Sequence, residues 1–131
     1  MSNPRIVIAD DNQEIVGTVS RIIDSRYELV GVCNDGESAV RLISKLKPDV
    51  ALLDIFMPGL DGIEVVSRLR VSETKTKVVI LTSMEGPDYV NLALNAGANG
   101  FVVKKQMHRD LHKAIETVLS GAVFVSLAGE M

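Results

Sequence analysis

A chain of 131 residues, 47% apolar and 24% charged, has enough material for one domain around one core. A net charge of −3 excludes a generic nucleic-acid or membrane surface, although local basic patches remain allowed. The lone cysteine, Cys33, excludes an internal disulfide and a Cys-rich metal site.

In chain order, the apolar run Arg5–Ala9 predicts a first strand, and the stripe Ile15, Val19, Ile22 and Ile23 a first helix. Glu28–Cys33 predicts a second strand, which makes Cys33 a buried, unreactive thiol. Asp35-Gly36 turns the chain into a second helix marked by Ala39, Leu42, Ile43 and Leu46. Val50–Leu53 is the third strand, and Asp61-Gly62 opens a third helix carrying Val65, Val66 and Leu69. Val78–Leu81 follows, then a helix that Gly86-Pro87 starts and Gly97 ends, with Val90, Ala93 and Leu94 on its apolar face. Gly100–Val103 is the fifth strand, and Leu111, Ile115, Val118 and Leu119 mark the last helix. The strand runs are Val/Ile/Leu-rich without strict alternation, as in a parallel sheet covered on both faces. Five strand–helix units in strict alternation predict an α/β fold, a doubly wound five-stranded parallel sheet flanked by five helices. The stretch from Gly121 to Met131 is weakly apolar and has no clear assignment. With no signal-peptide pattern and no apolar run near membrane-spanning length, a cytoplasmic location without membrane contact is expected.

In such a sheet, ligands bind beyond the carboxyl ends of the strands. The first run is followed by Asp10 and Asp11, the third by Asp54, the fourth by Thr82 and the fifth by Lys104. Clustered carboxylates repel one another unless a cation joins them, and hard oxygen ligands in an open site suit Mg²⁺. Asp54 can then act as a nucleophile that forms an acyl phosphate. Lys104 and Thr82 can hold phosphoryl oxygens. Each residue also has a plainer use. Asp11 with Glu14 fits a capping box, Asp54 before Met57-Pro58-Gly59 fits a turn, Thr82 fits a cap, and Lys104 fits a solvated cation. It is the joint placement at four strand ends that favours phosphoryl chemistry. His108 and His112 have a zinc-compatible spacing but no third ligand, so a solvated face is expected.

Four segments resemble the receiver family of bacterial response regulators. They are Ile8-Ala9-Asp10-Asp11-Asn12, Leu53 through Gly62, Ile80-Leu81-Thr82-Ser83, and Gly97 through Lys104. The likeness runs from about Arg5 to Gly121. It implies a receiver domain over 1–121 with a flavodoxin-like strand order 2-1-3-4-5, and a tail over 122–131 that begins a linker to an output domain. It further implies that Asp54 is the phosphoacceptor and that Asp10, Asp11, Asp54 and the Phe56 carbonyl hold Mg²⁺, with Mn²⁺ as an alternative. Thr82 and Lys104 would contact the phosphoryl group, and Phe101 would match the aromatic switch position, for which plain core packing is the alternative. The implied partners are a sensor histidine kinase and, on phosphorylation, a second copy of the chain. DNA would be reached only through an output domain. Lys105 stands where many receivers have a proline after a cis bond, so a trans bond is expected, as in regulators of the NarL/FixJ type. Such a chain would be the receiver part of a transcription factor or a single-domain regulator. It would catalyse only its own phosphorylation and dephosphorylation. Phe56 and Met84 flank the expected path of an attacking water and cannot orient it, which predicts a slow loss of the phosphoryl group.

Two other functions remain open at this point. A small Mg²⁺-dependent aspartate-nucleophile phosphohydrolase uses similar groups, but usually as Asp-x-Asp at one strand end and with a cap. A flavin or nucleotide carrier would need a Gly-rich or Ser/Thr-rich phosphate cradle after the first strand, which is missing here.

Overall fold

The computed structural model describes residues 3–126. Strands β1 (Arg5–Ala9), β2 (Glu28–Cys33), β3 (Val50–Leu53), β4 (Lys77–Thr82) and β5 (Gly100–Val103) alternate with helices α1 (Gln13–Ile23), α2 (Gly36–Leu46), α3 (Gly62–Val71), α4 (Pro87–Ala96) and α5 (Met107–Leu119). All strand pairs are parallel, and the order is β2-β1-β3-β4-β5, as the likeness implied.

Successive strand residues serve opposite faces, and both faces are apolar. Val7, Ala9, Ala51, Leu53, Val78 and Ile80 pack with Ile43 of α2, Val65 and Leu69 of α3, and Ala93 of α4. Ile6, Ile8, Leu52, Val79, Leu81 and Val102 pack on the other side with Val19 and Ile23 of α1 and Leu111, Ile115 and Val118 of α5. The Val/Ile/Leu runs of β1, β3, β4 and β5 therefore reflect burial on two sides, whereas edge strand β2 leaves Leu29 and Val32 exposed. Each fully buried Leu or Ile contributes about 1.5–3 kcal/mol relative to exposure.

The helix boundaries follow their caps. Asp35 accepts from the Ser38 N–H, and Asp61 with Glu64 forms a full capping box. Gly97 ends α4 at φ +114°, a left-handed conformation that glycine adopts without strain. The cap of α1 corrects an expectation: it is Asn12, whose Oδ1 accepts from the Glu14 and Ile15 N–H groups at 3.0 and 3.3 Å. Asp11 is thereby free of capping and stays exposed at the rim.

The count of five strands is also corrected. A sixth strand, β6 (Phe124–Val125), pairs parallel to the outer edge of β5, with Gly100 opposite Phe124 and Phe101 opposite Val125. Two residues are too short to show a period, so the tail carried no strand signal. The rest of that tail, 127–131, lies outside the described residues.

Candidate functional site

The backbone ladder aims the acids. The Asp10 N–H donates to the Cys33 carbonyl at 3.0 Å, and the Asp54 N–H donates to the Ala9 carbonyl at 2.9 Å. Each strand is thus carried one residue past its end, and both side chains emerge at the same rim. Close packing fixes the loop after Asp54. A Cβ on Gly62 would lie 2.2 Å from the Asp54 carbonyl oxygen, so only glycine allows α3 to start there.

Carboxylate oxygens of Asp10, Asp11 and Asp54 lie within 4.8 Å of one another. Asp10 is 2% exposed and Asp54 8%, whereas Asp11 faces solvent. Lys104 reaches into this group, with its Nζ 2.9 Å from Asp10 Oδ2 and 3.2 Å from Asp54 Oδ2. The other oxygens are held by main chain: the Asn12 N–H donates to Asp10 Oδ1, and the Ile55 N–H to Asp54 Oδ1.

Burial pushes the Asp54 carboxyl above its ordinary range; Lys104 opposes this and Asp10 reinforces it. Burial alone would lower the Lys104 ammonium, but its bonds to Asp10 and Asp54 outweigh that and raise it. The two directions are compatible because one ammonium is divided between two carboxylates. Three acids facing one lysine leave an excess of negative charge, and that donor set fits a hard divalent cation such as Mg²⁺.

Thr82 ends β4 at the same rim, fully buried, and its Oγ1 accepts from the Met84 N–H at 3.3 Å. The Phe56 side chain is 53% exposed and lies edge-on to Tyr89 at 6.3 Å, forming an apolar wall beside the acids. Phe101 stands apart from the acids. It is 1% exposed and buried in the core, with Val125 against the same cluster. No cis peptide bond occurs among the described residues, in keeping with Lys105 after Lys104.

The features that looked sharper than they were stay outside the site. The solvated face expected for both histidines holds for His108, which is exposed on α5, but not for His112, which is half-buried and stacks on Tyr27 at 5.9 Å with its Nδ1 shut off from solvent. Cys33, expected to be buried, is half-buried because β2 is an edge strand; the burial it has, with Asp35 nearby, pushes its thiol up to about 11, which keeps it a thiol at neutral pH. Two polar residues with no signal in the sequence, Asp110 and Ser126, bond to each other beyond the site at 2.8 Å. No helix among the described residues is long and apolar enough to cross a membrane.

A parallel sheet with acids at two strand ends, a buried hydroxyl at a third and a lysine at a fourth defines a receiver. The profile of the response regulator receiver domain matches residues 6–116, and the chain belongs to that family. It is a receiver domain of two-component response regulators of the NarL/LuxR kind. It is 35% identical over 118 residues to the transcriptional regulatory protein DesR of Bacillus subtilis, which aligns with 88% of this chain and 58% of DesR. It is 35% identical over 144 residues to the transcriptional regulatory protein NarL of Mycobacterium tuberculosis, covering 100% of this chain and 67% of NarL. The solved receiver domain of that NarL superposes with a TM-score of 0.87 at 34% identity, over 92% of this chain and 99% of that one. A LuxR-family response regulator from Aurantimonas gives a TM-score of 0.88 at 30% identity, over 94% and 89% of the two chains. The chain spans between 52% and 67% of the length of the curated relatives it matches. None of these relatives supports the phosphohydrolase alternative.

Proposed function

We propose that Asp54 accepts a phosphoryl group from the phosphohistidine of a sensor histidine kinase, and that the change this causes is passed to a transcriptional output domain. The observation that carries the proposal is the gathering of Asp10, Asp11 and Asp54 oxygens within 4.8 Å, with the Lys104 ammonium in contact with two of the three acids. An Asp54 carboxylate oxygen attacks phosphorus as the P–N bond breaks; its electron pair returns to the imidazole, whose other nitrogen carries a proton, leaving an acyl phosphate and a neutral histidine. Asp10, Asp11, Asp54 and the Phe56 carbonyl are the groups that would hold Mg²⁺, which when bound supplies charge compensation for the arriving dianion. Lys104 exchanges part of its hold on the acids for phosphoryl oxygens, and Thr82 donates its hydroxyl to another. These steps consist mainly of positioning and charge stabilisation.

Phe101 lies inward here, which is one of the two packings that a switch requires. Its proposed role is to report the position of Thr82 to the surface formed by α4, β5 and α5. A homodimer formed on phosphorylation, and contact with DNA through an output domain, are proposed from relatives described as transcriptional regulators. By the same token the exchange is placed in the cytoplasm; the domain, expected over 1–121, takes in β6 from the expected tail 122–131, and the chain after it is taken as the start of a linker.

Incubation with Mg²⁺ and acetyl phosphate or phosphoramidate, followed by intact-mass measurement, tests the central claim. The wild-type protein should gain one phosphoryl mass and Asp54→Ala none. An equal gain in both would overturn it.

A further inference from the structure

We propose that Ser126 and Asp110 are positioning residues for Lys104: they latch β6 onto the free edge of β5 and so hold the backbone that carries the lysine. A two-residue strand is a weak element by itself. The Phe124 N–H donates to the Asn99 carbonyl at 3.2 Å, and the Ser126 N–H to the Phe101 carbonyl at 2.8 Å. The Ser126 side chain then does what the main chain no longer can. Its Oγ accepts from the Val103 N–H at 3.2 Å and donates to Asp110 Oδ2 at 2.8 Å. One hydroxyl thus ties together β5, α5 and the C-terminal strand, using its donor and one acceptor site.

Asp110 is suited to anchor the latch. It is 5% exposed in the first turn of α5, and the Arg109 guanidinium holds it with two bonds of 2.7 and 2.9 Å. Those bonds, chiefly, keep its carboxyl below the usual carboxylate range, with Ser126 adding to the effect, so it accepts as a charged group. The phosphoryl-transfer site makes no use of this buried acid.

Lys104 sits between the two fixed points. Val103 precedes it directly, and a short 3₁₀ turn, Lys104–Gln106, leads to α5 and Asp110. Anchoring both flanks leaves the lysine only its side chain with which to reach Asp10 and Asp54. Coupling of this kind is reciprocal. A phosphoryl group that draws on Lys104 must also alter the docking of β6, and through it the chain that follows Ser126. This last consequence rests on the proposed function; the positioning of Lys104 does not.

The test uses the full chain with Ser126→Ala, which removes the hydroxyl, Ser126→Thr, which retains it, and Asp110→Asn, which weakens the anchor by a second route. Three quantities are read: amide hydrogen exchange at Val103 and β6, the ¹H–¹⁵N signal of the Lys104 ammonium, and the rate of phosphorylation by acetyl phosphate with Mg²⁺. In Ser126→Ala, exchange at Val103 should rise about tenfold, the scale of one charge-linked hydrogen bond. The Lys104 signal should broaden or move, and phosphorylation should slow several-fold. Ser126→Thr should restore all three, and Asp110→Asn should resemble Ser126→Ala. Faster exchange with an unmoved Lys104 signal would reduce the latch to an edge cover and overturn the proposal, as would unchanged exchange. A wild-type protein that takes up no phosphoryl group but whose Lys104 signal still depends on Ser126 would sink the proposed function and leave the positioning intact.

Discussion

At the amino ends of the strands, polar groups close on one another; at the carboxyl ends they are left in excess. Beneath the sheet, Arg5 donates to the Leu46 carbonyl at 2.7 Å, and the Thr76 hydroxyl to the Pro48 carbonyl at 2.7 Å. Arg70 spans three segments there, donating to the Gly97 and Thr74 carbonyls and to Asn99 Oδ1 at 3.0, 2.8 and 2.9 Å. These three side chains all find their partners within the chain, as a stable fold requires. At the opposite end, one lysine serves two buried carboxylates with a third beside them. The difference separates a finished hydrogen-bond set, which holds the fold, from an unfinished one, which is left with negative charge in excess.

The largest effect is expected where the unfinished end loses Lys104, the cation in contact with its buried acids. Lys104→Met leaves buried acids unpaired and should cost about 3 kcal/mol in urea unfolding without divalent ions. Addition of Mg²⁺ should recover much of that loss, whereas equal recovery by Na⁺ at matched ionic strength would show that the acids do not form a specific site. Arg70→Ala attacks the finished end. It removes the Arg70 donors from two carbonyls and leaves Asn99 Oδ1 with the Val78 N–H alone, and should cost about 2 kcal/mol with no rescue by Mg²⁺.

Phe56→Asn probes the wall of the open end by replacing an apolar ring with a group able to orient water. The decay of the phosphoprotein should quicken about tenfold, or 1.4 kcal/mol of barrier. An unchanged half-life would remove Phe56 from any account of signal lifetime.

The smallest effect carries the most telling sign. The folded Asp54 holds its proton more tightly than the unfolded chain does, so its ionisation removes stability as pH rises from 3.8 through the raised value. Asp54→Asn should therefore be more stable than wild type at neutral pH, by about 1 kcal/mol. The gain should fade as pH falls below 3.8. A gain that persists in acid would trace to packing instead of charge.

The sequence made the carboxyl end more legible than the amino end. Asp10, Asp54, Thr82 and Lys104 each follow an apolar run directly, so their common rim could be read from strand positions alone. Five strands and five helices were equally visible, because each repeats an apolar period over several residues. What stayed hidden depends on a choice between neighbouring residues or on distant contacts. Asn12 outcompetes Asp11 as a cap only because its side chain reaches two N–H groups at once. The role of Arg70 arises from partners 27 and 29 residues away. Phe124–Val125 is a strand only because β5 has an unpaired edge to receive it, and no local pattern announces that.

Gly62 has a consequence for how such a domain can change over time. Its missing side chain leaves room for the carbonyl of the very residue proposed to take the phosphoryl group. Even alanine there would set a methyl 2.2 Å from that carbonyl oxygen, so the start of α3 and the peptide that carries Asp54 would have to move apart. A lineage that drifts at position 62 would therefore disturb one helix start and one acid of the cluster in a single step, so that shape and site are inherited together at this residue.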